Sequence, residues 1–131
     1  SSGMLSVCAA KDPVVYRYLV QADLTKPFPR PTAVFNRSEY SHHFKEGMYD
    51  GVVSSGTFLQ GHVGPEALPE LCRVVRSGGV MVFSIRPSYF EETSEQWFAC
   101  LQSCGMREVS VRMMPYNKDG LQAPIVSSYK L

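Results

Sequence analysis

At 131 residues, with 44% hydrophobic and 19% charged side chains, the chain has the make-up of one folded domain with a sizeable core, which excludes general disorder. A formal net charge of +1 gives no electrostatic reason to expect nucleic acid, an anionic membrane or an acidic partner. No apolar run approaches the roughly 20 residues of a membrane span, and no basic-then-apolar leader opens the chain, so a soluble, intracellular, cytoplasmic protein is expected.

Residues 2–11 read as a short helix with Met4, Leu5, Val7 and Cys8 on its apolar side, stopped by Pro13. Val14 to Ala22 is β-rich, and Asp23-Leu24-Thr25 closes a strand over 17–22. Lys26 to Gly47 holds Pro27, Pro29 and Pro31, then a polar run with the adjacent histidines His42 and His43. It reads as a long loop with a short helix near 38–45. Tyr49-Asp50-Gly51-Val52-Val53-Ser54 marks a buried strand over 50–55 that ends in small polar residues.

A helix follows near 65–76, where Pro65 suits the first turn and Leu68, Leu71, Cys72 and Val75 repeat at helical spacing. Gly78 fits the left-handed position that ends a helix. Val80 to Ile85, apolar apart from Ser84, reads as a central strand covered on both faces. Glu91 to Cys104 reads as a helix turning Trp97, Phe98 and Leu101 to the core, with Gly105 as its stop. Strands over 107–114 and 125–130, joined by the turn-rich connector 115–120, should pair antiparallel. Strand, helix, Gly-Gly, strand is one βαβ unit. The fold class is therefore α/β, with ligands expected at the carboxyl ends of the strands.

Several chemistries lack their carriers. Gly56-Thr-Phe-Leu-Gln-Gly61 has P-loop glycine spacing, but His62-Val63 follows where that chemistry needs Lys and then Ser or Thr. No tyrosine has a lysine four residues later, and His-Glu-x-x-His and Gly-x-Ser-x-Gly are absent. Cys8, Cys72, Cys100 and Cys104 lack the paired spacing of a zinc site and read as packed reduced thiols, the last two sharing one helix face. His42 and His43 read as solvated loop residues, and no metal is expected. His62, just past a strand's carboxyl end, suits substrate contact and a packing role about equally. Arg86, at the end of the next strand, could orient an anion or simply pair on the surface. Asp23 closes a strand, where a carboxylate could accept from an exocyclic amine or a ribose hydroxyl; a plain turn aspartate would look the same.

In order and spacing these segments resemble the class I S-adenosylmethionine-dependent methyltransferases. The matching run opens with Ser2-Gly3-Met4-Leu5 and Gln21-Ala22-Asp23-Leu24. It continues with Tyr49-Asp50-Gly51-Val52-Val53-Ser54 and with Leu71-Cys72-Arg73-Val74-Val75-Arg76-Ser77-Gly78-Gly79. Within it, Ser55-Gly56-Thr57-Phe58-Leu59-Gln60-Gly61-His62-Val63-Gly64-Pro65 is most similar to the Williams–Beuren-region methyltransferase-like proteins. The resemblance covers most of the chain outside residues 30–47. It implies S-adenosylmethionine as cofactor and a small-molecule methyl acceptor. Asp23 would read the adenine amine with the Leu24 backbone beside it, and Met4 would pack near the adenine or ribose. Ser54, Ser55 and Gly56 would pass the methionine part of the cofactor, while Thr57, Phe58 and His62 would face the acceptor. No catalytic base is implied, because a sulfonium is already a strong methyl donor and positioning supplies the rate.

The family's glycine-rich loop and the acidic end of its second strand have no counterpart here. The resemblance thus implies a partial doubly wound, Rossmann-like sheet with a C-terminal antiparallel pair and without its first two strands. Residues 1–131 would be a single, N-terminally truncated methyltransferase-like domain, with 26–48 as a long loop insertion. The family's sheet order is 3-2-1-4-5-7-6, so losing strands 1 and 2 would leave a gap of about 14 Å between the strand at Asp23 and the one at Asp50. Either the strand before Asp23 slides over to pair beside Val52, or a second chain covers the edge by self-association, or the chain is a fragment of a longer protein. Two rival functions stay open: a catalytically inactive remnant acting as a binding or interaction module, and another doubly wound ligand binder.

Overall fold

The β-branched and aromatic side chains of Val52, Val53 and the run from Val80 to Ile85 favour pleated backbone, and both segments are strands in the computed structural model. The structure describes residues 2–11, 20, 22–28 and 44–131. The strand expected over 17–22 falls largely outside the described residues, as do His42, His43 and most of the helix expected near 38–45. The chain divides into two compact units, Ser1–Phe44 and Lys45–Leu131. In the first, helix α1 (Ser2–Ala9) half-covers Leu5 and Cys8, but Met4 and Val7, expected on its apolar side, are exposed.

The second unit runs β1 (Tyr49–Phe58), a 3₁₀ turn (Pro65–Ala67), α2 (Leu68–Val74), β2 (Val75–Ile85), α3 (Pro87–Ser103), β3 (Met106–Pro115) and β4 (Gln122–Lys130). The sheet order is β1-β2-β4-β3, with β1 parallel to β2 and with β4 antiparallel to both β2 and β3. The last strand in sequence thus inserts between its two predecessors, reproducing the 4-5-7-6 end of the expected order.

Element boundaries moved where glycines do something other than stop a helix. Gly78 takes the expected positive φ of +75°, yet α2 ends four residues earlier, at Val74. Extended backbone begins at Val75, and between the pairs Tyr49–Val75 and Gly51–Val80 the second strand spends five residues against two. This bulge brings β1 and β2 very close. A Cβ on Gly79 would lie 2.7 Å from the Asp50 carbonyl oxygen and 2.6 Å from Val75 Cγ1, and one on Gly51 would lie 2.8 Å from the Val80 carbonyl oxygen. The Gly-Gly pair is therefore a packing requirement of the sheet. Helix α3 starts at Pro87, ahead of the expected Glu91, because proline's fixed φ suits a first helical turn.

One face of the sheet carries the core. Met81, Phe83 and Ile85 of β2 and Val126 of β4 are buried on it together with Trp97 and Leu101 of α3. Trp97 stands edge-on to Phe58, with ring centroids 5.0 Å apart, and 5.6 Å from Phe83. Its indole N–H donates to Thr93 Oγ1 at 3.0 Å, and that hydroxyl donates to the Tyr89 carbonyl, so the buried nitrogen is satisfied within its own helix. The Lys130 ammonium donates to the carbonyls of Cys72 and Val75, each at 2.8 Å, tying the end of β4 to the last turn of α2. Two expectations fail. Phe98 is exposed beside Phe90, because α3 shows the core only the face holding Trp97 and Leu101. The strand from Val80 is open at its start on the other face, where Val80 is 46% exposed and Val53, opposite Val82, is 84% exposed, while Ser84 further along that face is buried.

Two consequences are measurable. Gly79→Ala forces a methyl group into backbone, and denaturant unfolding should show a loss of about 1–3 kcal/mol. Lys130→Met keeps the aliphatic stem but leaves two carbonyls without their charged donor; the same measurement should show a loss of about 1–2 kcal/mol.

Candidate site at the carboxyl ends of the strands

Small residues at the end of β1 let the strand break step with β2. Between the pairs Ser54–Phe83 and Phe58–Ile85, β1 spends four residues where β2 spends two. Gly56 absorbs the bend at φ +71°, and its N–H donates to Ser84 Oγ at 3.1 Å. Ser54 Oγ donates to Thr57 Oγ1 at 2.9 Å, so two of the expected site hydroxyls hold each other across the bulge. Ser55 is exposed. The chain then turns, His62 N–H donating to the Leu59 carbonyl at 3.1 Å, which leaves the His62 side chain in solvent.

The bulge opens a slot of about 40 Å³ at the strand ends, lined mainly by Phe58, Leu59, Ile85, Tyr116, Leu121 and Ala123, with Arg86 and Pro87 at the start of α3. The β3–β4 hairpin supplies one wall, closed by the Tyr116 N–H donating to the Leu121 carbonyl at 2.7 Å. The Tyr116 hydroxyl lies 3.1 Å from where a Gly56 Cβ would stand. A second, open depression of about 290 Å³ lies along Val53, Ser54, Ser55, Val82, Phe83, Ser84 and Ile125. Phe58 serves twice, its ring belonging to the core and to the slot's lining.

The structure thus gathers Ser54, Ser55, Gly56, Thr57 and Phe58 on one bulge, with His62 on the following turn. Met4, Asp23 and Leu24 belong to the first unit. Asp23 is engaged locally: its Oδ1 accepts from the Thr25 N–H at 2.9 Å and the Thr25 hydroxyl at 2.7 Å, and Lys26 Nζ stands 3.6 Å from Oδ2. These bonds, the hydroxyl first, hold its carboxyl below the usual aspartate value. Sequence reasoning missed the hairpin wall and Ser84. The signal for Ser84 was there, as the one hydroxyl in an apolar strand; nothing local pointed to Tyr116 or Leu121.

Cys72, Cys100 and Cys104 gather where α2 meets α3, and all four cysteines are free thiols. Burial, reinforced by Cys104, pushes Cys72 well up and Cys100 to about 11, which opposes thiolate chemistry. Among the described residues no three His, Cys, Asp or Glu side chains are placed to hold a metal ion, and no helix is long and apolar enough to cross a membrane.

No family model matches the chain, and no curated protein matches it. Among solved structures, a predicted O-methyltransferase from Agrobacterium tumefaciens is similar at 14% identity and a TM-score of 0.52, over 85% of this chain and 46% of its own. A SAM-dependent methyltransferase from Thermotoga maritima follows at 15% identity and 0.46, over 66% of this chain and 58% of its own. A phosphoethanolamine N-methyltransferase 2 from Haemonchus contortus, in complex with phosphomonomethylethanolamine and S-adenosylhomocysteine, gives 11% and 0.48, over 69% and 35%. At these identities the likeness is one of fold, and the argument for it rests on the Agrobacterium protein, of which the chain spans less than half. The α/β sheet is a partial Rossmann-like sheet, similar in fold to the sheet of that protein.

The Asp23 turn can be tested by pH. A depressed carboxyl stabilises the turn above the ordinary aspartate value and loses that contribution as pH falls through the depressed one. NMR titration should therefore find Asp23 below an ordinary aspartate, and Thr25→Ala, which removes the leading hydroxyl bond, should move it back up.

Proposed function

We propose that the chain is part of a class I S-adenosylmethionine-dependent methyltransferase, of the Williams–Beuren-region type, whose complete form methylates a small molecule in the cytoplasm. The observation that carries this reading is the strand order β1-β2-β4-β3 with β4 antiparallel. In that assignment Ser54, Ser55 and Gly56 border the methionine part of the cofactor; Asp23, Leu24 and Met4 serve its adenosine. Thr57, Phe58 and His62 face the acceptor. The bulge supports the role of residues 54–56, because a strand end without large side chains admits a ligand close to backbone. Asp23 can serve while its turn persists, since Oδ1 makes the turn and Oδ2 keeps acceptor capacity. Residues 1–131 would form a single, truncated domain, with 26–48 as its insertion.

A second reading is favoured by a different observation. β1 is the outermost strand of the described sheet, and the sequence holds no Gly-x-Gly run to cradle a cofactor. An inactive remnant that binds a partner or a second copy through this edge would look the same.

Calorimetric titration with S-adenosylhomocysteine separates the two. The methyltransferase reading expects weak saturable binding, with Kd near about 1 mM, that Asp23→Ala abolishes. No heat at several times that concentration removes independent cofactor binding and leaves the interaction module. Binding untouched by Asp23→Ala removes Asp23 from the site.

A further inference from the structure

Arg86 is the one charged residue lining the slot. Arg73 and Arg76 each reach a carboxylate, on Glu70 and Asp50. The Arg86 guanidinium makes no ion pair or side-chain hydrogen bond among the described residues. Its backbone is nevertheless fixed, since its N–H donates to the Phe58 carbonyl at 3.0 Å and its own carbonyl accepts from Phe90 N–H at 2.9 Å. Arg86, exposed and fixed through its backbone, thus lines an apolar slot while its guanidinium is unpaired among the described residues.

The slot's walls restrict what can fill it. Phe58, Ile85 and Ala123 form a floor that is about 1% exposed, while Tyr116 and Leu121, each nearly half exposed, form the rim. The polar groups lining it are Ser84, whose Oγ accepts from the Gly56 N–H and keeps its own proton to donate, the Tyr116 hydroxyl near Gly56, and Arg86. Since a water needs roughly 10–15 Å³ of such space, the slot's 40 Å³ admits the edge of a flat ring or a short alkyl group. A neutral ligand would gain burial alone. An anion gains a charge-assisted, two-pronged contact from the guanidinium as well.

We infer that this slot binds a small, flat carboxylic acid, its ring edge between Phe58, Leu59 and Leu121 and its carboxylate on Arg86. Resting on the methyltransferase reading, this makes the methyl acceptor a compact acid of benzoate size. The acid need not be methylated on its carboxylate, because Arg86 would hold that group.

The test is backbone-amide NMR titration of the chain with benzoate and with benzamide, its neutral isostere. Benzoate should perturb Phe58, Leu59, Arg86 and Leu121 and bind about tenfold more tightly than benzamide. Arg86→Gln should erase the difference, while Arg112→Gln, on exposed β3, should leave it intact. Equal affinity for the two compounds, perturbation centred elsewhere, or an Arg86→Gln titration like that of the unaltered chain overturns the inference. Adding S-adenosylhomocysteine to the same samples keeps the two ideas apart. Selective benzoate binding without a cofactor response upholds the acid slot and removes independent cofactor binding by this chain; a cofactor response without benzoate selectivity rejects the slot alone.

Discussion

The contact on which the second unit depends is the edge-on packing of Trp97 against Phe58 and beside Phe83. Phe58 is the last residue of β1, Phe83 lies near the end of β2, and Trp97 sits in the third turn of α3. One indole ring therefore clamps a helix to the carboxyl ends of two parallel strands. Burial of three aromatic side chains drives the contact, and the ring quadrupoles favour the T-shaped arrangement found between Trp97 and Phe58. The hydroxyl relay through Thr93 lets the indole nitrogen be buried without an unsatisfied donor, which would otherwise cost a large part of what the rings contribute.

That clamp explains why the site can be irregular. Two bulges surround the β1–β2 pair, one at each end, and each lengthens one strand against the other. A ladder so interrupted would slip if it relied on hydrogen bonds alone. Here register is fixed at the first bulge by Gly51 and Gly79, whose missing side chains let the two backbones approach, and at the carboxyl end by the rings. The same absence of side chains that tightens one end loosens the other, where Gly56 turns the chain outward and the slot opens.

Much of this was legible. The apolar run from Val80, the helical spacing of Leu68, Leu71 and Cys72 and the turn-rich 115–120 connector placed β2, α2 and the β3–β4 pair. The resemblance placed β4 between β2 and β3. Errors came where one residue has two physical uses. Gly78 has the left-handed geometry expected of a helix terminator, but uses it in a bulge. Phe98 lies about 100° round the helix from Trp97, off the face that α3 turns to the core, so hydrophobicity alone misassigned it. The slot's far wall was illegible because Tyr116 and Leu121 reach it only through the antiparallel return of β4, a contact between positions some sixty residues from the β1 bulge.

The sheet's two faces are treated unequally, and this separates the candidate functions by location. On the helix-covered face the aromatic clamp fixes the strand ends completely within residues 56–123. On the other, Val53 and Val80 remain exposed, and a doubly wound fold uses helices to cover such a face. Of the residues in the proposed cofactor assignment, Met4 and Asp23 belong to the first unit and Ser54 to Gly56 to the second. The acid slot draws on the second alone. Its floor is therefore set by buried residues of the second unit alone, and the proposed slot does not depend on the assignment of Met4 and Asp23.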